Sequence, residues 1–389
     1  MNVRRSIITL CLFLAIFLAY RFVRPLQIFV VSPEFEVPID IGAVPVGLDS
    51  VSAKSCGKCH TEIYEEWSSS MHADAWIDPY FQVDYAFDGY PQICLNCHTP
   101  LKGQQKDLVL GFKDSEKSDP ILKSNRNFDE SLQDEGVTCA VCHIRDGMII
   151  GPSGSDTAPH PVKRDESMSD GHSMCRRCHM VMGDRWDTFY RLPPCGTYGE
   201  TMEAGRKPEC MKCHMPEIER PVVPGGEIKK AKQHLWQGGH HPEMVKKGLT
   251  VKLESIELAD SSIEYKLSLS NSGSNHRIPT GTPDRHLTVK FRRLDENMKT
   301  LGEKSYKLKR TIMWRPFIVD LWDTRLKAGE TRLFSFHVNR QDRPVFIDVE
   351  VRYHLLDERR RRRIGYENKE PIDYSIFYKR IEVGKNVKN

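Results

Sequence analysis

The chain has 389 residues, a length that predicts two or three domains. Its formal charge of +4 conceals an asymmetry, since residues 25–244 carry a net charge of −11 and residues 245–389 carry +11. The basic half could attract an acidic protein or lipid headgroups, or it could dock on the acidic half of the same chain. Its arginine run, residues 359–363, has no interleaved aromatic residues, so nucleic-acid binding is not expected. We expect this run to be a solvated strand edge or loop.

The first 31 residues predict a membrane anchor. Two arginines precede an uncharged run at residues 6–20, and two more follow it before a second apolar stretch at residues 26–31. A run of this length suits either a signal-peptide core or a short membrane span. Phe17 stands where a cleavage site would need a small residue, and the flanking arginines could snorkel to the membrane surface. We therefore expect residues 1–31 to remain as an anchor with a cytoplasmic N terminus, with a cleaved signal peptide as the alternative.

Five copies of one motif dominate the next part of the chain. In each copy, two cysteines separated by two residues are followed directly by a histidine. These copies account for ten of the twelve cysteines. The cysteine pairs are Cys56 and Cys59, Cys94 and Cys97, Cys139 and Cys142, Cys175 and Cys178, and Cys210 and Cys213, and the histidines that follow them are His60, His98, His143, His179 and His214.

This Cys-x-x-Cys-His pattern predicts covalent haem attachment. Two thiols at this spacing reach the two vinyl groups of one porphyrin, and the next side chain brings its imidazole to the iron. Zinc knuckles and dithiol redox sites also use Cys-x-x-Cys pairs, but neither requires a histidine after every pair. The sequence therefore predicts five covalently attached c-type haems, whose porphyrins would supply much of the apolar core. Thioether attachment is an extracytoplasmic step in bacteria, which agrees with an exported chain.

The composition and the hydrophobic pattern of the sequence change twice after the anchor. Residues 32–50 mix Pro and Gly with apolar residues and predict a linker. Residues 51–244 contain only short helical patterns, which favours a mostly helical and irregular domain organised by haem. Residues 245–389 alternate apolar with polar residues between turns, which predicts about seven antiparallel strands in a β-sandwich. The expected fold is thus multidomain, with an N-terminal transmembrane helix, a haem-organised domain and a C-terminal all-β sandwich.

Each iron also needs a second axial ligand or an open position. A second histidine gives a low-potential electron carrier, a methionine raises the potential, and an open position permits substrate chemistry. Ten histidines lie outside the five motif copies: His72, His160, His172, His234, His240, His241, His276, His286, His337 and His354.

Several stretches resemble the multihaem cytochromes related to hydroxylamine oxidoreductase, pentahaem nitrite reductase and their tetrahaem electron carriers. They are CGKCHTEIYEEWSSSMHADAW, EGVTCAVCHIRDGMIIGPSGSDTAPHPV, CMKCHMP and HLWQGGHHPEMVKKGL. The stretches NSGSNHRIPTGTPDRHLTV and TRLKAGETRLFSF resemble the β-sandwich appended to a subset of that family. The family's ligand motifs imply that the second axial ligands here are His72, His160, His234, His240 and His276. His241 is the alternative at one position of the pair formed by His234 and His240.

One departure from the resembling enzymes bears on function. The nitrite reductases of that family have a Cys-x-x-Cys-Lys site with a reactive iron, whereas all five motif copies here end in histidine. We therefore assign no catalytic residue and favour an electron-transfer protein over a stand-alone enzyme.

The expected function is electron relay by a single-pass cytochrome of the bacterial inner membrane that faces the periplasm. Its donor would be a quinol-linked membrane partner, and its acceptor a cytochrome or reductase in the periplasm or outer membrane. The alternative is a reductase of a nitrogen or sulfur oxyanion, such as nitrite or a tetrathionate-like ion, or of hydroxylamine, with one five-coordinate haem. A subunit of an extracellular cytochrome filament is disfavoured by the expected anchor.

Overall fold

The computed structural model describes residues 3–23, 37–113, 119–156, 159–179, 196–258, 262–313, 315–316, 319–339, 344–367 and 370–384. The second apolar stretch at residues 26–31 and the first part of the predicted linker, residues 32–36, lie outside the described residues.

The N-terminal segment forms one helix, Val3–Val23, of 21 residues. At 1.5 Å per residue this helix is about 32 Å long, close to the roughly 30 Å of a bilayer hydrocarbon core. None of its residues is buried against the rest of the chain. By length and composition it could cross a membrane, and a signal sequence near the N terminus would pass the same test.

Between residues 37 and 248 the chain forms short helices and hairpins, and this part is called the haem region below. No described helix in it exceeds nine residues, as the short periodic patterns predict. The α-helices are Ala53–Gly57, Thr61–Ser68, Pro79–Phe87, Gln92–His98, Glu130–Gln133, Cys139–His143, Ser173–His179, Thr197–Glu203, Cys210–His214 and Pro242–Gly248, with single 3₁₀ turns at Ala73–Ala75, Lys102–Gln104 and Glu166–Met168.

Short strands connect these helices. Two antiparallel hairpins pair β1 with β2 and β6 with β7, and a small sheet has the order β3-β4-β5. The strands are β1 (Asp107–Phe112), β2 (Pro120–Ser124), β3 (Ile144–Arg145), β4 (Met148–Gly151), β5 (Val162–Arg164), β6 (Glu217–Arg220) and β7 (Lys229–Lys232).

Helical geometry explains how each motif copy presents its three functional side chains. Residues at positions i, i+3 and i+4 of a helix lie on one face, so the two cysteines and the histidine point the same way. Four copies lie entirely within a helix. The first copy is divided, because Cys56 lies in helix Ala53–Gly57, whereas His60 lies beyond its end and directly precedes helix Thr61–Ser68.

The haem region has little apolar core of its own. In its described part, two clusters of buried apolar side chains contain six residues around Leu101 and Val141, and three residues around Trp67. Between them lies a continuous cavity of about 2960 Å³, lined by cysteines and histidines of all five motif copies. Typical small-molecule pockets measure about 300–1,000 Å³, so this cavity is large enough for several bulky groups.

From Leu249 onward the chain is β-rich. Two antiparallel sheets, with orders β12-β11-β10-β14-β15 and β13-β9-β8, enclose one cluster of 21 buried apolar residues. Alternating buried and half-buried residues along Ser262–Asn271 match the predicted pattern. The strands are β8 (Leu249–Glu257), β9 (Ser262–Asn271), β10 (His286–Leu294), β11 (Thr300–Met313), β12 (Val319–Asp323), β13 (Thr331–Asn339), β14 (Phe346–His354) and β15 (Asp373–Glu382).

The arginine run is neither a strand edge nor a loop, so that prediction was wrong. Residues Glu358–Ile364 form a helix. The Asp357 carboxylate accepts the Arg359 N–H at its N terminus, and Gly365, with a φ of 71°, ends it. Arginine is also a good helix former, and these caps decide the conformation.

This helix and nearby residues of the β-rich region contact the haem region. Arg360 pairs with Asp84 on helix Pro79–Phe87, and the hydroxyl of Tyr80 donates to Asp284 over 2.9 Å. Ion pairs of Arg325 with Glu200 at 2.7 Å and of Arg277 with Glu203 at 3.4 Å also cross between the regions. Basic groups of the β-rich region thus pair with acidic groups of the haem region. This is the intramolecular docking that the charge asymmetry of the sequence allows.

Candidate haem-binding site

Four of the five motif histidines face a second histidine across the cavity. In all four pairs the ring centroids lie 6.2 or 6.3 Å apart. Two imidazole nitrogens bound to opposite sides of one metal ion, each at about 2.0–2.1 Å, lie about 4 Å apart, and the rings extend beyond them. The spacing therefore fits one iron between each pair. The pairs are His60 with His160, His179 with His72, His143 with His234, and His214 with His276.

The Nδ1 atoms of several of these rings lie within hydrogen-bond distance of backbone carbonyl oxygens. When Nδ1 donates such a bond, Nε2 keeps a lone pair, which is the tautomer that binds a metal. The acceptors for the motif histidines are Val222 for His60 at 2.8 Å, Ala75 for His98 at 2.5 Å, Ile150 for His143 at 3.1 Å and Gln237 for His214 at 2.7 Å, and those for the facing histidines are Lys232 for His234 and Arg277 for His276, both at 2.9 Å.

Burial favours the neutral form of four histidine rings that line the cavity. It lowers the pKa of His72 to about 3, with a further contribution from the nearby His179 and His214. For the same reason the pKa values of His98, His179 and His234 fall to about 4. A neutral imidazole is the form that binds iron, so no proton would have to be displaced near neutral pH.

His98, in the second motif copy, has a different environment. Among the described residues, no second histidine ring lies opposite it. Instead the Phe81 ring stacks on His98 with centroids 3.6 Å apart and an interplanar angle of 8°. Tyr85 stacks on Phe81 in turn at 5.4 Å, and Trp76 lies 6.0 Å from Phe81. Helix Pro79–Phe87 thus places an aromatic cluster beside the second motif copy.

His240, which the family resemblance implies as a ligand, is not brought beside a motif histidine. It lines the cavity, but its Nε2 lies 3.3 Å from the guanidinium of Arg285. Burial and the cation of Arg285 lower the pKa of His240 to about 4. Its neighbour His241 is half-buried, with an Nδ1 that has no hydrogen-bond partner in the described part of the chain.

The other four histidines outside the motif copies lie elsewhere. His286 and His354 stack on each other within the five-stranded sheet, with centroids 4.2 Å apart. His337 lies on β13 beside Glu264, and His172 lies 5.7 Å from the Tyr198 ring. None of these four faces a motif histidine among the described ring contacts.

Two carboxylates connect distant parts of the site by hydrogen bonds, and the sequence did not point to either of them. Glu135 is buried and accepts the Ala53 N–H and the Thr138 hydroxyl, both at 2.7 Å. It therefore joins the start of the helix of the first copy to the residue that precedes the third. No sequence signal marks this link, because Ala53 is 82 positions from Glu135.

The second missed carboxylate, Glu66, positions one of the facing histidines. It binds both guanidinium nitrogens of the buried Arg220, at 2.7 and 2.8 Å, and accepts the backbone N–H of His234 at 2.8 Å. Burial alone would raise the pKa of Glu66, but these hydrogen bonds hold it below its usual value. An ionised Glu66 thus fixes the backbone on which His234 lies.

A glycine allows the chain to approach His72 closely. Gly136 has a φ of 56°, and a Cβ at this position would lie 2.7 Å from the backbone oxygen of His72. The next residue, Val137, donates its N–H to that same oxygen over 2.8 Å. A side chain at Gly136 would therefore displace His72.

Comparisons with known proteins bear on the family and the fold of the chain. A family model described as cytochrome c554 and c-prime matches residues 55–144, which contain the first three motif copies. The crystal structure of a penta-haem cytochrome c552 from Thermochromatium tepidum superposes with a TM-score of 0.65 and 19% identity, over 87% of this chain and 100% of that chain. With 87% of the chain aligned, the similarity of fold extends over both the haem region and the β-rich region.

Other comparisons add nothing to this. A glycosyl hydrolase family 2 member from Bacteroides cellulosilyticus aligns with 34% of this chain and 13% of that chain at 9% identity, but its TM-score of 0.18 supports no conclusion. A search of curated proteins found no match. The five Cys-x-x-Cys-His copies, the family match over three of them and the shared fold identify the chain as a multihaem c-type cytochrome, which confirms the resemblance found in the sequence.

Proposed function

We propose that this cytochrome is a membrane-anchored, five-haem electron relay. Haem bound at each motif copy would supply one-electron chemistry, and the chain would hold the iron ligands and exclude solvent. The observation that carries the proposal is the set of four histidine pairs at 6.2–6.3 Å. An iron held between two imidazoles has no open position for a substrate, and its function is electron transfer.

The roles of the individual residues follow from this proposal. The ten motif cysteines would attach the porphyrins, and the five motif histidines would bind the irons. His72, His160, His234 and His276 would supply a second ligand to four of those irons. The anchor, linker, haem domain and β-sandwich divide at residues 1–31, 32–50, 51–244 and 245–389, a division supported by the change from short helices to long strands at Leu249.

The location and partners are also part of the proposal. The exposed apolar helix Val3–Val23 supports a single span of the bacterial inner membrane, with the rest of the chain in the periplasm. A quinol-linked membrane protein would then be the donor, and a periplasmic or outer-membrane cytochrome or reductase the acceptor.

One observation favours a second function, reduction of a nitrogen or sulfur oxyanion. Among the described residues His98 faces no second histidine, whereas the other four motif histidines do. An iron bound by His98 alone could accept a substrate. The two functions therefore differ in one feature, the sixth ligand of the second haem.

Electron paramagnetic resonance of the oxidised protein separates these two functions, after a haemochrome assay has established five haems per chain. For the relay we expect only low-spin signals and no carbon monoxide adduct after reduction. A high-spin signal together with turnover of nitrite or hydroxylamine would favour the reductase. A His240→Ala variant tests the remaining ligand candidate, because loss of a ligand would create one high-spin iron. His172→Ala is the matched control, since His172 also lies beside the cavity but is not assigned to an iron.

A further inference from the structure

Strands β11 and β12 form a hairpin at one edge of the five-stranded sheet, and its end extends past β10. The pairing of β10 with β11 ends at Lys309. The rest of β11, Arg310 to Met313, pairs only with β12. Beyond Lys309, no third strand of the described residues therefore pairs with this hairpin.

The hairpin meets the end of the N-terminal helix. The guanidinium of Arg315, between the two strands, donates to the carbonyl oxygens of Phe22 at 2.5 Å and Val23 at 3.1 Å. The last carbonyl groups of a helix have no partner within it and carry partial negative charge, which suits a cationic donor. Arg315 also lines the haem cavity. The hairpin, the helix end and the rim of the cavity thus come together at one residue.

The same hairpin exposes large apolar side chains. Leu321 is 47% exposed and Trp322 is 58% exposed. The pairing of β11 with β12 shifts register between Thr311 and Ile312, so Leu321 has no partner on β11, and it lies exposed beside Trp322. Neither residue lines the haem cavity, so bound haem would not cover them. The sequence between the strands, Trp-Arg-Pro-Phe-Ile, is also mostly apolar.

We propose that the β11–β12 hairpin is a second membrane contact, which lies on the lipid surface where the N-terminal helix leaves the bilayer. This rests on the proposed anchor and deepens it, because it fixes the side of the haem cavity that faces the membrane. Lipid is the occupant favoured by continuity with the helix end at Arg315. Tryptophan is enriched at membrane–water interfaces, and Trp322 is an exposed tryptophan of this hairpin.

Photo-crosslinking in the intact, haem-loaded chain tests this proposal. A benzophenone amino acid is introduced in place of Trp322, and the protein is incubated with vesicles of phosphatidylcholine and phosphatidylglycerol. After irradiation, mass spectrometry measures the lipid adduct on the peptide that contains residue 322. The matched control is the same amino acid in place of Leu333, which is 69% exposed on β13 of the other sheet. We expect severalfold more lipid adduct at position 322 than at position 333.

The outcomes separate this proposal from the anchor. Mass spectrometry of the same sample shows whether residues 1–23 are still present. Preferential capture of lipid at position 322 supports the hairpin contact, and it does so even if the helix proves to be cleaved and the anchor proposal fails. An intact, membrane-inserted chain with equal yields at both positions, or with no lipid adduct at position 322, would overturn the hairpin contact while leaving the anchor in place. A cleaved chain without preferential capture overturns both.

Discussion

The haem region and the β-rich region are stabilised in different ways. One cluster of 21 buried apolar residues lies between the two sheets of the β-rich region, and all but Val245 belong to that region. The haem region buries six and three residues in two small clusters around a cavity of about 2960 Å³. Burial of apolar area is the main favourable term in folding, so the haem region depends on its cofactors for a core while the β-rich region supplies its own.

The largest expected effect comes from preventing haem attachment at the third motif copy. In a Cys139→Ser, Cys142→Ser variant we expect the haem region to lose its ordered structure, because the cavity wall loses its apolar filling. The β-rich region should remain folded. Limited proteolysis followed by mass spectrometry would show cleavage sites confined to residues before Leu249. Cys11→Ser, in the N-terminal helix, is the control. Equal protection of both regions in the double variant would contradict the claim that the haem region depends on bound haem for its core.

A core substitution in the β-rich region tests the other side of the comparison. Phe291 is fully buried, so Phe291→Ala should lower the free energy of unfolding of that region by about 3–5 kcal/mol. Leu333→Ala, at an exposed position, should change it by less than about 0.5 kcal/mol. Chemical denaturation followed by far-ultraviolet circular dichroism measures both. If Phe291→Ala left stability unchanged, the shared core would not be what holds this region together.

A smaller effect is expected from Glu66→Gln in the haem region. Glutamine removes the charge that pairs with the buried Arg220, which should cost about 1–3 kcal/mol. The pKa of Glu66 is lowered in the folded chain, so its stabilisation is present above the unfolded pKa of about 4.3 and is lost as the pH falls through the folded value. The stability difference between parent and variant should therefore narrow in acid. A difference that is constant between pH 7 and pH 3 would contradict this assignment.

The most localised effect, a spectroscopic change at one haem, is expected at His276. This residue belongs to the β-rich region yet faces His214 of the haem region. His276→Ala should convert one haem from low-spin to high-spin, and His276→Met should raise the potential of one haem. His286→Ala, which alters a histidine within the sheet, should change neither signal. An unaltered spectrum for His276→Ala would show that the two regions do not share an iron.

Features that depend on local sequence patterns could be predicted, whereas contacts between distant parts of the chain could not. The five motif copies were found because their spacing places two cysteines and a histidine on one helix face. His72, His160, His234 and His276 were candidates through resemblance, but the motif histidine that each one faces depends on the fold. Glu66 and Arg220 are 154 positions apart, and no local pattern connects them. The helix at residues 359–363 does have a local signal in the sequence, because Asp357 and Gly365 are recognisable helix caps.

The four histidine pairs have a consequence for the connectivity of the chain. They join residues between 62 and 107 positions apart, and each loop closed by one pair overlaps the next along the sequence. With iron between the rings, each pair would act as a cross-link that restricts the unfolded chain. A covalent cross-link closing a loop of about 100 residues removes roughly 4–5 kcal/mol of unfolded-state entropy. Ligation by haem would therefore stabilise this chain by interlocking its loops as well as by filling its cavity.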